Sequence, residues 1–450
     1  MSIRVLSGVA VILGCVAIAA APGAAADEPI VLNDNGGWCW FEDQRALVHG
    51  GKLIIGSVAD RGGTGGEERD GNIEVTTYDL ATGNAVVSIL HPHLGGDDHN
   101  SPALVVCPDG RFLAMYAKHG PENRMYYRLS ARASDSTSWE PEQVFAPSER
   151  SRVTYSNLHL LMAENGGRGR LYDFYRGLDS SWKPSWMISD DGGRTWESGG
   201  LLMTFTDPAN PGRRHRPYVK YASNARGTIH FVATEAHPAA YTGTSIYHGF
   251  ICGGYVFRSD GRPIRALRDG PVEPAEMTRI FRGDAAGWAW TSDLELDAQG
   301  HPYVGYTVHK TDDDHRYRYA RWDGARWHDY EIAYAGRRLY ERQEHYTGLI
   351  ALDPNDPSTV YISTDADPET GAPLISAADG QRHYEIFEGV TGDGGATWRW
   401  TAITEDSTAD NLRPIVPSWD VSHTALLWLR GTYRRYTDYD LDVVGLILSQ

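Results

Sequence analysis

Pro108-Asp109-Gly110-Arg111-Phe112-Leu113-Ala114 joins a tight turn to an alternating apolar strand. The Asp-Gly pair is a turn signal, and the residues after it change face with the period of two that a strand requires. Working outward, residues 101–106 read as an inner strand, 111–117 as its return and 124–128 as a third strand. The same turn and strand recur at Gly51, Gly169, Gly227 and Gly300, with weaker copies at Ser358 and Ser422, so successive markers lie 58 to 73 residues apart. Seven copies, each carrying several strand segments, point to an all-β, seven-bladed β-propeller in which each repeat is one four-stranded blade. No Gly/Ser-rich or Pro-rich linker divides residues 27–450, which are expected to form a single domain.

Two further segments, Ser189-Asp190-Asp191-Gly192-Gly193-Arg194-Thr195-Trp196 and Thr391-Gly392-Asp393-Gly394-Gly395-Ala396-Thr397-Trp398, match the Asp-box pattern. Their Asp and Gly residues shape an outer turn and the Trp is expected to pack between blades. Such boxes sit on the blade periphery and carry no catalytic meaning.

Composition narrows the function. The chain has 450 residues, 41% hydrophobic and 22% charged, with 49 Gly, 25 Tyr, 14 Trp and a net charge of -17. That is too apolar for disorder and too charged for a multi-span membrane protein. The acidic balance argues against nucleic-acid binding, which needs a broad basic surface. An anionic substrate must therefore meet a local basic cleft. In residues 1–26, Arg4 precedes an apolar run ending in Ala24-Ala25-Ala26, which reads as a signal peptide. The protein is expected to be secreted, with no membrane association, and to act as a monomer. Cys39, Cys107 and Cys252 are too few for a disulfide framework and read as buried small hydrophobes.

In a blade, the start of the first strand and the end of the second lie at the same end of the propeller. Counting from each marker therefore collects the residues that ring one mouth of the axial channel. These are Trp40 and Asp60; His99, Asn100 and His119; Tyr155, Asn157 and Arg176; Arg216, Tyr218 and His237; Trp288, Trp290 and His309; His345, Tyr346 and Asp365; and Arg413 and Arg430. Turn positions chosen only for bending would be Gly, Asn, Asp and Ser. Indoles suit sugar faces and a guanidinium pairs bidentately with a carboxylate, so the mouth suits an acidic saccharide. Each residue also has a plainer reading: His99 as a solvated turn histidine after Asp97-Asp98, His119 as a strand end, Tyr155 and Tyr218 as core aromatics. His248 and Cys252 share a strand face but make a weak metal signal by themselves.

At these positions the chain resembles secreted propellers with BNR-type repeats that include ulvan lyases, rhamnose-glucuronate lyases and a related exo-rhamnosidase group. The matching stretches are Gly37-Trp38-Cys39-Trp40-Phe41-Glu42-Asp43-Gln44-Arg45, Asp98-His99-Asn100-Ser101-Pro102-Ala103-Leu104, Tyr116-Ala117-Lys118-His119-Gly120 and Thr154-Tyr155-Ser156-Asn157. Further on come Phe174-Tyr175-Arg176-Gly177, Arg216-Pro217-Tyr218-Val219-Lys220-Tyr221, Ser245-Ile246-Tyr247-His248-Gly249 and His345-Tyr346-Thr347-Gly348. The resemblance implies β-elimination at a uronic acid of a glucuronate-containing glycan. His99 and His119 then take the histidine positions, one as general base and the other holding or neutralising the carboxylate. Tyr155 is the implied acid or second base, with Tyr218 as its alternative, and Arg176 and Arg216 are the implied carboxylate clamps. Asn100, His237, Trp288, Trp290, His345 and Tyr346 are expected to bind the acidic polysaccharide. The chemistry requires no cofactor. Some members carry a structural metal, whose ligands the sequence does not place.

Two other classes share this scaffold. An exo-α-L-rhamnosidase would hydrolyse without forming an unsaturated uronate, and hydrolysis usually employs two carboxyl groups across the bond. The mouth offers few, Asp60 and Asp365 being the best, which favours a lyase. A carbohydrate-binding propeller would keep the indoles and arginines without needing paired histidines. A sialidase is disfavoured, because its usual Arg-Ile-Pro segment near the first blade is missing.

Overall fold

The computed structural model describes residues 28–449. The expected signal peptide lies outside the described residues. Seven antiparallel sheets follow one another around an axis. The six inner strands from blade one to blade six are Ala46–His49, Ala103–Val106, Thr154–Leu161, Tyr218–Ser223, Trp288–Leu296 and Ile350–Leu352, and Asp410–Ile415 is the seventh. Each marker turn joins an inner strand to the next, as the repeat requires. The 73-residue interval after Gly227 has a physical cause. Blade four has six strands, two more than a four-stranded blade, because three short strands, Tyr255–Arg258, Pro263–Ala266 and Thr278–Phe281, take the place of a single outer one.

The ring is closed by pairing distant parts of the chain. Strand Ile30–Asn33 adds to the outer edge of blade seven by pairing with Asp438–Ser449, with Ile30 opposite Gly445. Leu32 carries the junction into the core, where it clusters with Leu427, Leu441 and Val443. The Asp boxes behave as expected. Asp191 accepts hydrogen bonds from the Arg194 and Thr195 amides at 3.0 and 2.9 Å, and Trp196 stands edge-on to Tyr127 of blade two. Trp398 likewise meets Tyr319 of blade five at 5.3 Å.

The axial channel is filled. Residues 38–45, between the closing strand and blade one, cross the hub and bond to most of the other blades. The Asp43 amide donates to Asn157 at 2.9 Å, Asp43 accepts from the Tyr221 amide at 3.0 Å, and Arg45 donates to the Ser156 carbonyl at 2.7 Å. Gln44 reaches Glu295 of blade five at 2.9 Å, and Arg413 of blade seven donates to the Trp38 carbonyl. Trp40, expected at the mouth, is instead 0% exposed at the centre, stacked 5.5 Å from Trp290 and edge-on to Tyr346. A large indole on the axis removes more apolar area from water than it would on the rim. Cys39 and Cys107 are buried, whereas Cys252 is exposed at the end of strand Ile246–Cys252, against the expectation for all three.

Candidate active site

The mouth is built around two stacked histidines. His99 lies in a short helical turn, Asp98–Asn100, capped by Asp97, which accepts both the His99 amide at 3.0 Å and its ring Nδ1–H at 2.7 Å. His119 leaves the end of strand Phe112–Ala117. Its Nδ1 meets the other oxygen of Asp97 at 3.1 Å, and the two rings stack at 3.8 Å with a 10° tilt. One carboxylate thus orients both rings, with Asp98 adding a second contact to His99 at 2.8 Å. Tyr436 stands edge-on to both, at 5.1 and 5.7 Å.

This arrangement splits the pair electrostatically. Burial works against a charge on His99, yet the acidic groups around it raise the ring well above the ordinary imidazole range, the Asp97 and Asp98 carboxylates lying 2.7 and 2.8 Å from its Nδ1. Burial and the neighbouring His99 charge push His119 down to about 4, against its hydrogen bond to the Asp97 carboxylate. At neutral pH His99 is an imidazolium and His119 a neutral imidazole whose Nδ1 is committed to Asp97, leaving Nε2 for proton transfer.

Tyr155 sits beside them at 5.5 Å from His99. It occupies a bulge between Thr154 and Asn157 with φ at 57°, a left-handed conformation that costs a non-glycine residue about 1–3 kcal/mol and turns its side chain to the mouth. Burial raises the phenol well above its usual value, so it remains protonated. The Arg176 guanidinium lies 4.5 Å over the Tyr155 ring and 5.1 Å over Tyr218. Arg176 is 4% exposed, yet its Nε and Nη1 have no hydrogen-bond partner among the described residues. A buried donor left unpaired costs about 1–3 kcal/mol, so this guanidinium is held in a state that an incoming anion would relieve.

Arg216 is exposed and lies 5.1 Å over Trp182, which also carries Arg176 at 5.7 Å. The Trp182 ring covers Gly120, where a Cβ would fall 2.0 Å from the indole, so the residue after His119 must be glycine. On the far side of the hub, His237 accepts the Ala239 amide on Nδ1 at 3.1 Å and His345 accepts the Trp288 indole N–H on Nδ1 at 3.1 Å. Both are thereby fixed as Nε2–H tautomers. Burial holds them low, His237 at about 4 and His345 at about 3, so both are neutral donors.

The structure therefore brings His99, His119, Tyr155, Arg176, Tyr218 and Arg216 together, with His237, His345 and Trp288 across the mouth. Trp290 and Tyr346 pack into the hub cluster with Trp40 and Phe41, which also holds Tyr155 and Tyr218, and Asn100 donates its amide to the Gly95 carbonyl at 2.8 Å. Sequence reasoning missed Asp97 and Asp98 as partners of the histidines, although both directly precede His99. It also missed Trp182 and Tyr436, which have no local signal. Asp60 and Asp365 are not the carboxylates of the site: Asp60 caps the Gly62 and Tyr439 amides, and Asp365 pairs with Arg337 and Arg382. Arg430 pairs with Asp442 on its own blade.

Two groups, Cys39/Asp98/His99 and Asp97/His99/His119, bring donor atoms within 4.8 Å of one another. In both, His99 Nδ1 is already engaged by the Asp97 and Asp98 carboxylates at 2.7 and 2.8 Å, and in the second the His119 Nδ1 faces the other oxygen of Asp97 at 3.1 Å. His248 has both ring nitrogens occupied, by His230 at 3.0 Å and Ser259 at 2.8 Å.

The chain belongs to the BNR repeat-containing family, whose pattern matches residues 66–335. A search of curated proteins found no match. Among solved structures, a polysaccharide lyase of the ulvan lyase type, bound to -[GlcA(1-4)Rha3S]-, superposes with a TM-score of 0.64 at 14% identity, covering 93% of this chain and 96% of its own. The polysaccharide lyase Uly1 superposes with a TM-score of 0.55 at 12% identity, covering 91% and 90%. At these identities the likeness establishes the seven-bladed fold.

Proposed function

We propose that the protein is a secreted polysaccharide lyase that cleaves a glucuronate-containing glycan, of the rhamnose-glucuronate kind, by β-elimination. The observation that carries this reading is the stacked pair His99 and His119, both held on Nδ1 by Asp97, beside an arginine with unpaired buried donors. The uronate carboxylate is taken by Arg176, with Arg216 at the rim, and the His99 imidazolium adds positive charge behind it. Neutralising the carboxylate acidifies the C5 proton, and the same charges stabilise the enolate-like intermediate. His119 Nε2 removes the C5 proton. The C4–O4 bond then breaks as the C4=C5 double bond forms, and the departing O4 oxygen takes a proton from the Tyr155 hydroxyl. The acidic saccharide bound to the ulvan lyase of the same fold supports a substrate of this class.

Incubation with ulvan, gum arabic and glucuronan tests the reading. A lyase raises the ultraviolet absorbance of the unsaturated uronate, a hydrolase releases sugar without it, and a binder does neither. His119→Ala is expected to slow turnover by about 10²- to 10⁴-fold, the usual contribution of a positioned base, with an unchanged circular dichroism spectrum. Full activity in that variant would sink the assignment.

A further inference from the structure

A cleft of about 510 Å³ opens beside the histidine pair, between the loop leading into blade six and the tall hairpin of blade seven. The hairpin strands, His423–Arg435 and Asp438–Ser449, run 13 and 12 residues, so their turn stands above the mouth. The cleft is lined by Tyr340, Arg342, Gln343, Arg434, Arg435 and Tyr436, with Glu341 as its one carboxylate. It is continuous with the site at both ends. Tyr436 is the ring that stands edge-on to His99 and His119 at 5.1 and 5.7 Å, and Tyr340 packs 5.6 Å from Tyr346 of the hub.

Its chemistry is unsatisfied. The Tyr340 hydroxyl is buried without a hydrogen-bond partner. Arg434 is paired with Asp438 at 3.1 Å, whereas Arg342 and Arg435 have no ion-pair partner among the described residues. In a chain of net charge -17, two unpaired guanidiniums facing one cleft run against the general field. Guanidinium forks flanked by phenol rings suit a carboxylate on a pyranose.

We propose that this cleft is a second subsite, which takes the carboxylate of another uronate unit in an extended acidic glycan while the mouth holds the unit that is cleaved. The proposal rests on the uronate reading of the mouth. It makes chain length, rather than the single sugar, the determinant of affinity.

The test uses Arg342→Ala/Arg435→Ala in the full protein, with His119→Ala in both the parent and the variant to prevent cleavage. Binding of a glucuronan hexasaccharide, a glucuronan disaccharide and uncharged cellohexaose is measured by calorimetry. The double substitution is expected to weaken the hexasaccharide about tenfold, as for the loss of one or two charge-assisted hydrogen bonds, and to leave the disaccharide unchanged. An unchanged hexasaccharide overturns the subsite alone. Equal weakening of the disaccharide, or of cellohexaose, overturns it as well, by moving the arginines to the main site or removing charge from the recognition. If the parent binds neither uronate oligosaccharide, the uronate reading of the mouth falls and the subsite falls with it.

Discussion

Asp97 determines what the two histidines do. It is a cap residue by position, and its two oxygens engage both Nδ1 atoms, while burial and the neighbouring His99 push His119 down. The consequence is measurable in kcat/KM. A base must be neutral to act, and burial and the His99 charge hold His119 at about 4. Activity should therefore rise as pH climbs through about 4 and stay level to neutral pH, rather than rising near ~6.5 as for an unperturbed imidazole. An acid limb near the unperturbed value would place the base elsewhere. At this scale the sequence showed the two histidines, the tyrosine and the arginines, because strand register places them. It showed Asp97-Asp98 only as a polar turn. Whether a carboxylate beside an imidazole faces water or clamps it depends on where a loop of blade two meets a strand end 20 residues on, and no local pattern records that.

At the scale of elements, the marker turns and Asp boxes were legible because glycine turns and alternating strands are local. Blade two shows this, with expected strands 101–106, 111–117 and 124–128 observed as Ala103–Val106, Phe112–Ala117 and Met125–Arg132. The Asp-box tryptophan supports packing between blades, far from the mouth. Trp196→Ala is expected to cost about 3 kcal/mol of stability, as for a buried aromatic truncation, and to lower the denaturant midpoint while leaving kcat intact. A parallel collapse of kcat at temperatures where the variant is folded would contradict its peripheral role. What the repeat could not show is blade four, whose outer additions look in sequence like a lengthened interval.

For the whole molecule, closure rests on a short strand. Leu32 is buried in the cluster that joins the first strand to the last sheet, while Val31 on the same strand is 47% exposed. Leu32→Ala is expected to destabilise the entire ring by about 3 kcal/mol in a single cooperative transition, and Val31→Ala by less than about 0.5 kcal/mol. Equal effects in thermal denaturation would mean that the strand does not close the ring. The sequence by itself determined the blade number and the strand alternation, since turn chemistry and period two act over a few residues. Tertiary structure alone decided that residues 38–45 fill the axis, that residues 30–33 complete blade seven, and that one carboxylate, Asp97, meets both histidine rings. Those outcomes depend on contacts between segments as far apart as Ile30 and Gly445, and burial and charge act on neighbours in space whatever their distance along the chain.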